Sequence, residues 1–313
     1  EIWPNLLREC RRRGVKTAIV NGRLSQRSYP RYRLVRGFIA RVLEDIDCFC
    51  VQSEQSARRF IDLGANPGRI SVTGSLKFDS LDLPTPSLQS RPRDRVLRFF
   101  RIPAARSVIV AGSTMKGEDA AVLHAFRRVR ATTPTTLLIL APRHTERVQE
   151  VDQLCRQEGF RTVRRSELAI DADPRADIVI LDSIGELATI YQLATVAFVG
   201  GSLVATGGHN ILEPAVFGKP SVFGPHMENF AEIADAFLAN VAGVQVKSER
   251  ELGDVVLALM IDPVRRARLG AAARALVEAN RGAKDKSVDV LAALLPETQV
   301  TRPSNVRPFR PIA

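Results

Sequence analysis

One alternation constrains this chain more than anything else. Short β-branched and apolar runs recur between stretches with helical spacing. "RSVIVAGS" (106–113), "TLLILAPR" (136–143), "ADIVILDS" (176–183), "TVAFVGGS" (195–202), "KPSVFGP" (219–225) and "AGVQVK" (242–247) read as strands. Helices are predicted near 118–130, 145–157, 185–192, 210–217, 229–239, 249–260, 263–279 and 283–294. Runs this continuously apolar belong to parallel strands buried on both faces. Repeated strand–helix units then require right-handed crossovers and a doubly wound α/β sheet. A shorter series precedes them, with strands at "VKTAIVN" (15–21), "DCFCVQ" (47–52) and "RISVTG" (69–74) and helices near 30–43 and 53–63. Three strands are few for a doubly wound domain, so this part reads as the back half of one.

Length allows two domains, since the chain has 313 residues. "LPTPSLQSRPRDR" (83–95) is rich in Pro, Ser and Arg and reads as a linker. The predicted layout is an incomplete first domain (1–82), the linker (83–95), a complete second domain (96–296) and a loose tail (297–313) with three prolines and no periodicity.

The net charge is +11, and its excess is uneven. Residues 8–41 hold eleven Lys or Arg and a single acid, Glu9. Such a block suits nucleic acid, anionic lipid or a phosphorylated substrate; a solvated helical face would look the same. Against nucleic acid, its only aromatics are Tyr29, Tyr32 and Phe38, and no RNA- or DNA-binding motif occurs. Cys48-Phe49-Cys50 has the wrong spacing for a metal or redox pair. The four cysteines read as small buried side chains in a reducing compartment. No apolar run reaches the roughly 18 residues that a bilayer span needs. The chain opens without Met at a helix start, "EIWPNLL", and reads as a fragment whose beginning, with any anchor, lies elsewhere. No P-loop, early GxGxxG, HExxH or GxSxG occurs, which argues against an NTPase, a nicotinamide enzyme, a zinc hydrolase and an α/β-hydrolase.

Ligands of open α/β sheets sit beyond the carboxyl ends of the strands. Five consecutive predicted strand ends carry polar or glycine-rich turns. The sharpest is "GGHNILEPA" (207–215). Gly207 and Gly208 would let the backbone approach a phosphate, and a helix starting near Asn210 would face it with free N–H groups. Asn210 and Glu213 are three apart, so Glu213 could hold a ribose diol while Asn210 serves the phosphate. A capping box would place the same two residue types at the same spacing. Arg143, directly after a buried strand, suits phosphate or carboxylate, or pairs with Glu146. The lone histidines, His144, His209 and His226, read as structural. Lys77, after the last strand of the first part, could meet developing negative charge or be a solvated linker residue. Arg23, Ser25 and Arg27 could bind an acidic substrate or cap the next helix.

"EIWPNLL", "NGRLSQRS", "VTGSLKFD", "APRHTERV", "GEL", "FVGGSLVATGGHNILEPA" and "GPHMENF" together resemble the 3-deoxy-D-manno-octulosonic acid (Kdo) transferases that modify lipid A precursors in Gram-negative-type bacteria. The likeness runs from residue 1 to about 290. "GGHNILEPA" alone would indicate only a GT-B glycosyltransferase. The resemblance implies two Rossmann-like domains, an N-terminal one for the lipid A precursor and a C-terminal one for the donor, CMP-Kdo. It implies inversion at the anomeric carbon, with no metal and no cofactor, at the cytoplasmic face of the inner membrane. The family's CMP contacts fall on Pro142, Arg143, Ile184, Gly185, Glu186, Asn210, Ile211, Leu212 and Glu213, and its charge-stabilising lysine on Lys77. The family's general base lies before the first residue here, so this stretch is expected to bind donor without transferring Kdo. A GT-B transferase or epimerase using a UDP-sugar is the alternative enzyme reading, and a basic nucleic-acid-binding protein the alternative outside enzymes.

Overall fold

The computed structural model describes residues 2–25, 28–79, 102, 106–169 and 172–295. Two compact units emerge, residues 80–279 and residues 1–79 joined by 280–313.

The larger unit is built on a parallel sheet, seven-stranded among the described residues. Its strands are β4 (Val108–Thr114), β5 (Leu137–Pro142), β6 (Thr162–Arg164), β7 (Ile178–Ile180), β8 (Val196–Val199), β9 (Ser221–Phe223) and β10 (Val244–Gln245), following β1–β3 of the other unit. They lie in the order β10-β9-β8-β4-β5-β7-β6. Alternate residues of one strand enter different cores. Ile109 and Ala111 of β4 join Phe126, Leu123 and Leu252 of the long helices α5 (Glu118–Thr132) and α10 (Glu249–Ile261). Val108 and Val110 join Tyr191 and Ile190 on the opposite face. Burial on both faces is why these strands appear in the sequence as unbroken apolar runs.

The order has a physical consequence. From the central strand β4 the chain builds outward through β5 to β7 and β6, then crosses to the other side of β4 for β8, β9 and β10. This reversal opens a crevice at the carboxyl ends of β4 and β8. Strand β6 is absent from the sequence reading. Its three residues, Thr-Val-Arg, sit half-buried at the sheet edge and carry one apolar side chain, too few for any period to register.

The smaller unit holds a three-stranded parallel sheet, β1 (Ala18–Gly22), β2 (Cys48–Val51) and β3 (Ile70–Val72). Its core gathers Phe49, Phe60, Leu43, Ile46 and Leu63, with the two phenyl rings 5.4 Å apart. Helix α1 covers Pro4–Arg12 and α4 covers Glu54–Asp62. The helix expected over 30–43 is two, α2 (Tyr29–Leu34) and α3 (Arg36–Leu43), broken at Val35, whose φ of −115° and ψ of 30° leave the helical region. Cys48 and Cys50 are buried on one face of β2 with sulfurs 3.9 Å apart, and Cys155 is buried in the larger unit.

The domain layout needs one correction. The second domain was expected to run to 296, yet the units divide at residue 279 and the last helix, α12 (Ala283–Ala292), belongs with the first. Asp79 explains this. Its carboxylate accepts the N–H groups of Gly282 (2.8 Å) and Lys284 (2.7 Å), capping α12 from 203 residues away. The linker (83–95) and the tail (297–313) lie outside the described residues.

Helix α11 (Pro263–Ala279) packs through Gly270, where a Cβ would fall 1.9 Å from the Gly218 carbonyl oxygen. Glycine to alanine inside a helix normally gains about 1 kcal/mol. Here backbone would have to move, so Gly270→Ala is expected to lose roughly 1–3 kcal/mol, read from the urea midpoint at constant m-value.

Candidate donor-binding site

The crevice at β4 and β8 is shaped by one carboxylate. Glu118 opens helix α5 after Gly117, whose φ is 97°, and its side chain is fully buried. It accepts four backbone N–H groups: Met115 (2.9 Å), Gly201 (2.6 Å), Ser202 (2.9 Å) and Leu203 (2.8 Å). Asp119 beside it accepts the Thr114 hydroxyl (2.7 Å) and the Arg147 guanidinium. Ser202 donates to the Val199 carbonyl (2.5 Å) and accepts from Gly224 N–H (2.8 Å), joining the ends of β8 and β9. The sequence reading placed Ser202 at a strand end facing the ligand edge but missed Glu118, Asp119 and Arg147 as parts of this site. Two acids at a helix start directly after a glycine turn were the available signal.

The glycine pair packs tightly on neighbouring backbone and side chains. Gly208 N–H donates to Gly201 O (2.7 Å), and Gly207 O accepts from Asn229 N–H (2.9 Å). A Cβ at Gly207 would lie 2.4 Å from the Asn229 amide, and one at Gly208 2.5 Å from the Met227 sulfur. The two glycines let the 201–208 loop pack closely on residues 226–229, and the N–H of Gly208 is already taken.

Asn210 precedes the helix instead of starting it. Helix α8 (Leu212–Ala215) is one turn, and Asn210 Oδ1 accepts Leu212 N–H (3.2 Å). Neither the shared helix face nor the capping box forms, and one turn supplies little of the dipole expected from a longer helix. The two residues still meet. Burial raises the pKa of the Glu213 carboxyl, offset by a hydrogen bond from Asn210 and by the charge of Arg143. The fully buried Tyr191 phenol is raised by burial and by Glu213. Its oxygen occupies the space a Cβ on Gly112 would need. Ile211 and Leu212 are wholly buried and fix the turn.

Arg143 follows Pro142, the last residue of β5, and its N–H donates to Thr114 O (3.0 Å). Its expected alternative partner, Glu146, pairs with His144 at 3.6 Å. Among the described residues the Arg143 guanidinium has no ion pair, and it is solvent-exposed. Its charge acts on Glu213 and on His209, whose pKa is lowered by burial, then by Arg143 and His144. His209 Nε2 is buried without a hydrogen-bond partner. Arg143, His209, Asn210, Glu213 and Tyr191 thus converge.

Ile184, Gly185 and Glu186 follow β7 at the same edge of the sheet. Ile184 is 88% exposed, and Gly185 has a φ of 86° with open space beside it. The Glu186 carboxylate is engaged by Arg165 (3.1 Å) and by the Ser183 hydroxyl, which leaves Ile184 and Gly185 as the accessible part of this turn. Lys77 lies in the smaller unit, half-buried on the 3₁₀ turn Leu76–Phe78 after β3. Ser25 accepts Ser28 N–H (3.1 Å) and so caps a turn, while Arg27 lies outside the described residues. No group of three metal-ligating side chains occurs among the described residues.

A family model described as 3-deoxy-D-manno-octulosonic-acid transferase matches residues 1–80. A 3-deoxy-D-manno-octulosonic acid transferase of Haemophilus influenzae is 36% identical over 297 residues, which are 94% of this chain and 68% of that protein. The chain belongs to the 3-deoxy-D-manno-octulosonic acid transferase family. A bifunctional glycosyltransferase/methyltransferase of Fusobacterium nucleatum is 36% identical over 252 residues, 80% of this chain but 38% of that protein, so the chain spans well under half of it. Among solved structures, the C-terminal CMP-Kdo binding domain of WaaA from Acinetobacter baumannii matches at 34% identity and a TM-score of 0.51, covering 56% of this chain and 91% of that one. Anabaena HepE in complex with UDP and glucose covers 92% of this chain and 73% of its own at a TM-score of 0.53, and at 15% identity it shows the fold alone. The fold is α/β of the GT-B type, as in these structures.

Glu118→Gln would leave two of the four N–H groups facing an amide NH₂ in place of a carboxylate oxygen. It is expected to cost about 2–4 kcal/mol, with faster amide hydrogen exchange at residues 201–203 than elsewhere in the sheet.

Proposed function

We propose that this protein moves Kdo from CMP-Kdo to a sugar hydroxyl of a lipid A precursor, with inversion at the transferred carbon. One observation carries the donor half of this reading. Arg143, exposed and without an ion pair among the described residues, acts by its charge on the half-buried Glu213, which is hydrogen-bonded to Asn210 at the switch point of the sheet. The 34% identical CMP-Kdo binding domain supports the same assignment.

In this reading Arg143 meets the phosphate of CMP, and its planar fork fits two phosphate oxygens. Glu213, oriented by Asn210, accepts the ribose hydroxyls. Ile184 and Gly185 lie beside the nucleotide. As the bond from Kdo to phosphate breaks, negative charge grows on the leaving CMP, and Arg143 offsets it. Lys77 keeps the charge-stabilising role that the family resemblance gives it. The acceptor hydroxyl attacks from the opposite face and gives its proton to a carboxylate, a role we assign to no residue of this sequence. Charge neutralisation by side chains makes a metal ion unnecessary, and no cofactor enters.

The smaller unit supplies the acceptor side. A cavity of about 340 Å³ lies at the carboxyl end of β1, beside Arg23, Leu24 and Tyr32. Nearby in sequence, Leu34, Val35 and Phe38 are exposed between Arg31, Arg33, Arg36 and Arg41. Apolar and basic side chains mixed in this way suit an anionic bilayer surface, the cytoplasmic face of the inner membrane. No helix among the described residues is long and apolar enough to cross a membrane.

Calorimetry tests the donor site directly. CMP is expected to bind the 313-residue chain more tightly than UMP, and Arg143→Ala or Glu213→Ala to weaken it about tenfold or more. Equal binding of UMP, or CMP binding that neither substitution alters, would overturn the assignment. The membrane reading has its own check. Binding to phosphatidylglycerol vesicles should fall steeply as salt is raised, because the Debye length shrinks from about 10 Å at 0.1 M to about 3 Å at 1 M. Binding insensitive to salt would refute it.

A further inference from the structure

The edge of the larger sheet opposite the donor crevice holds a second cavity, of about 510 Å³. It opens where β4, β8 and β9 begin, since Val108, Thr195 and Pro220 line it. Among the described residues its charged lining is entirely cationic, Lys219, Arg266 and Arg106, with Gln192 as a further polar group and no carboxylate.

These charges are poorly answered from within. Lys219 is half-buried, which lowers its pKa, and its ammonium has no hydrogen bond or ion pair among the described residues. Arg266 spends one nitrogen on the carbonyls of Leu259 and Met260, both at 2.7 Å, and has no acidic partner. Only Arg106 meets a carboxylate, Asp173, at 3.4 Å. An adjoining cavity of about 500 Å³ makes the contrast. There Asp177 binds Arg130 (2.7 Å) and Arg161 (3.0 Å), and its pKa sits at about 2 because these arginines outweigh the upward push of burial. The charges of that cavity are spent on one another. Those at Lys219 are not, and an unanswered cation withdrawn from water is a standing cost that an anion removes.

We propose that the Lys219 cavity is a second ligand site, for a small phosphomonoester. The phosphate sits between Lys219 and Arg266, and the organic part lies against Leu193, Pro220 and Ala267. The volume falls within the range of roughly 300–1,000 Å³ typical of small-molecule pockets, and inorganic phosphate alone would leave most of it empty. The site is distinct from the crevice of Arg143 and Glu213. Two short segments run between them: residues 191–195 link Tyr191 to the cavity wall, and residues 213–219 link Glu213 to Lys219.

Phenyl phosphate is the probe, titrated calorimetrically into the 313-residue chain. One site is expected, weakened about tenfold or more by Lys219→Met, kept within about threefold by Lys219→Arg, and unaffected by Arg143→Ala. Footprinting on the parent chain needs no folded variant. Saturating phenyl phosphate should slow acetylation of Lys219 while leaving the exposed Lys284 unchanged, as read by mass spectrometry. No binding by the parent chain, equal affinity in Lys219→Met, loss of binding in Arg143→Ala, or equal acetylation of Lys219 with and without the probe would each overturn the proposal.

Discussion

The carboxylate of Glu118 is the interaction on which the donor crevice depends. Parallel strands that end side by side leave loops whose N–H groups no neighbour satisfies. At the ends of β4 and β8 four such groups point inward, and one buried carboxylate accepts all four. Charge-assisted bonds of this kind are stronger than neutral ones, and an unmade bond in a dry place is costly. The loop from Gly201 to Leu203 is thereby held against the start of α5. Ser202 then reaches β9, and Gly208 reaches back to Gly201. Asn210 and Glu213 follow directly, so their placement is inherited from a residue 92 positions before Asn210.

This arrangement separates support from recognition. Glu118, Asp119, Arg147 and Ser202 are buried or nearly so, and their hydrogen bonds are internal. Arg143 and Ile184 are exposed, and Glu213 is half-buried. Glu186 shows why the distinction matters. The family resemblance implies a donor contact for it as for its neighbours, and its carboxylate is held by Arg165 and Ser183 in the turn that presents Ile184 and Gly185. Asp79 is similar at larger scale. It follows Lys77 in a motif read for chemistry, and its carboxylate caps the last helix, closing residues 280–292 onto the first unit.

Much of the fold was legible because apolar periodicity is local. The nine expected strands all form, since each carries its own β-branched run between turn residues. The tenth, β6, was invisible because an edge strand needs little apolar content. The return of α12 to the first unit was not legible either, because it depends on Asp79, a partner remote in sequence. In the donor crevice, residue identity was legible and role was less so. The Arg143 charge acts on Glu213, and Gly207 and Gly208 pack closely on residues 226–229. A glycine answers equally to a ligand or to a neighbouring backbone, and only the neighbour's position separates the two.

The sequence by itself determined the α/β class, the parallel strands and the likeness to Kdo transferases, because burial on both faces and ordered motifs are written in consecutive residues. Tertiary structure alone decided the strand order and with it the switch point. It also decided which acids are spent on backbone N–H groups and which cations, Arg143 and Lys219, have no carboxylate partner among the described residues. The physical reason is that charge pairing and desolvation are properties of distance in space. Residues 118 and 201 meet only after the chain has crossed the sheet.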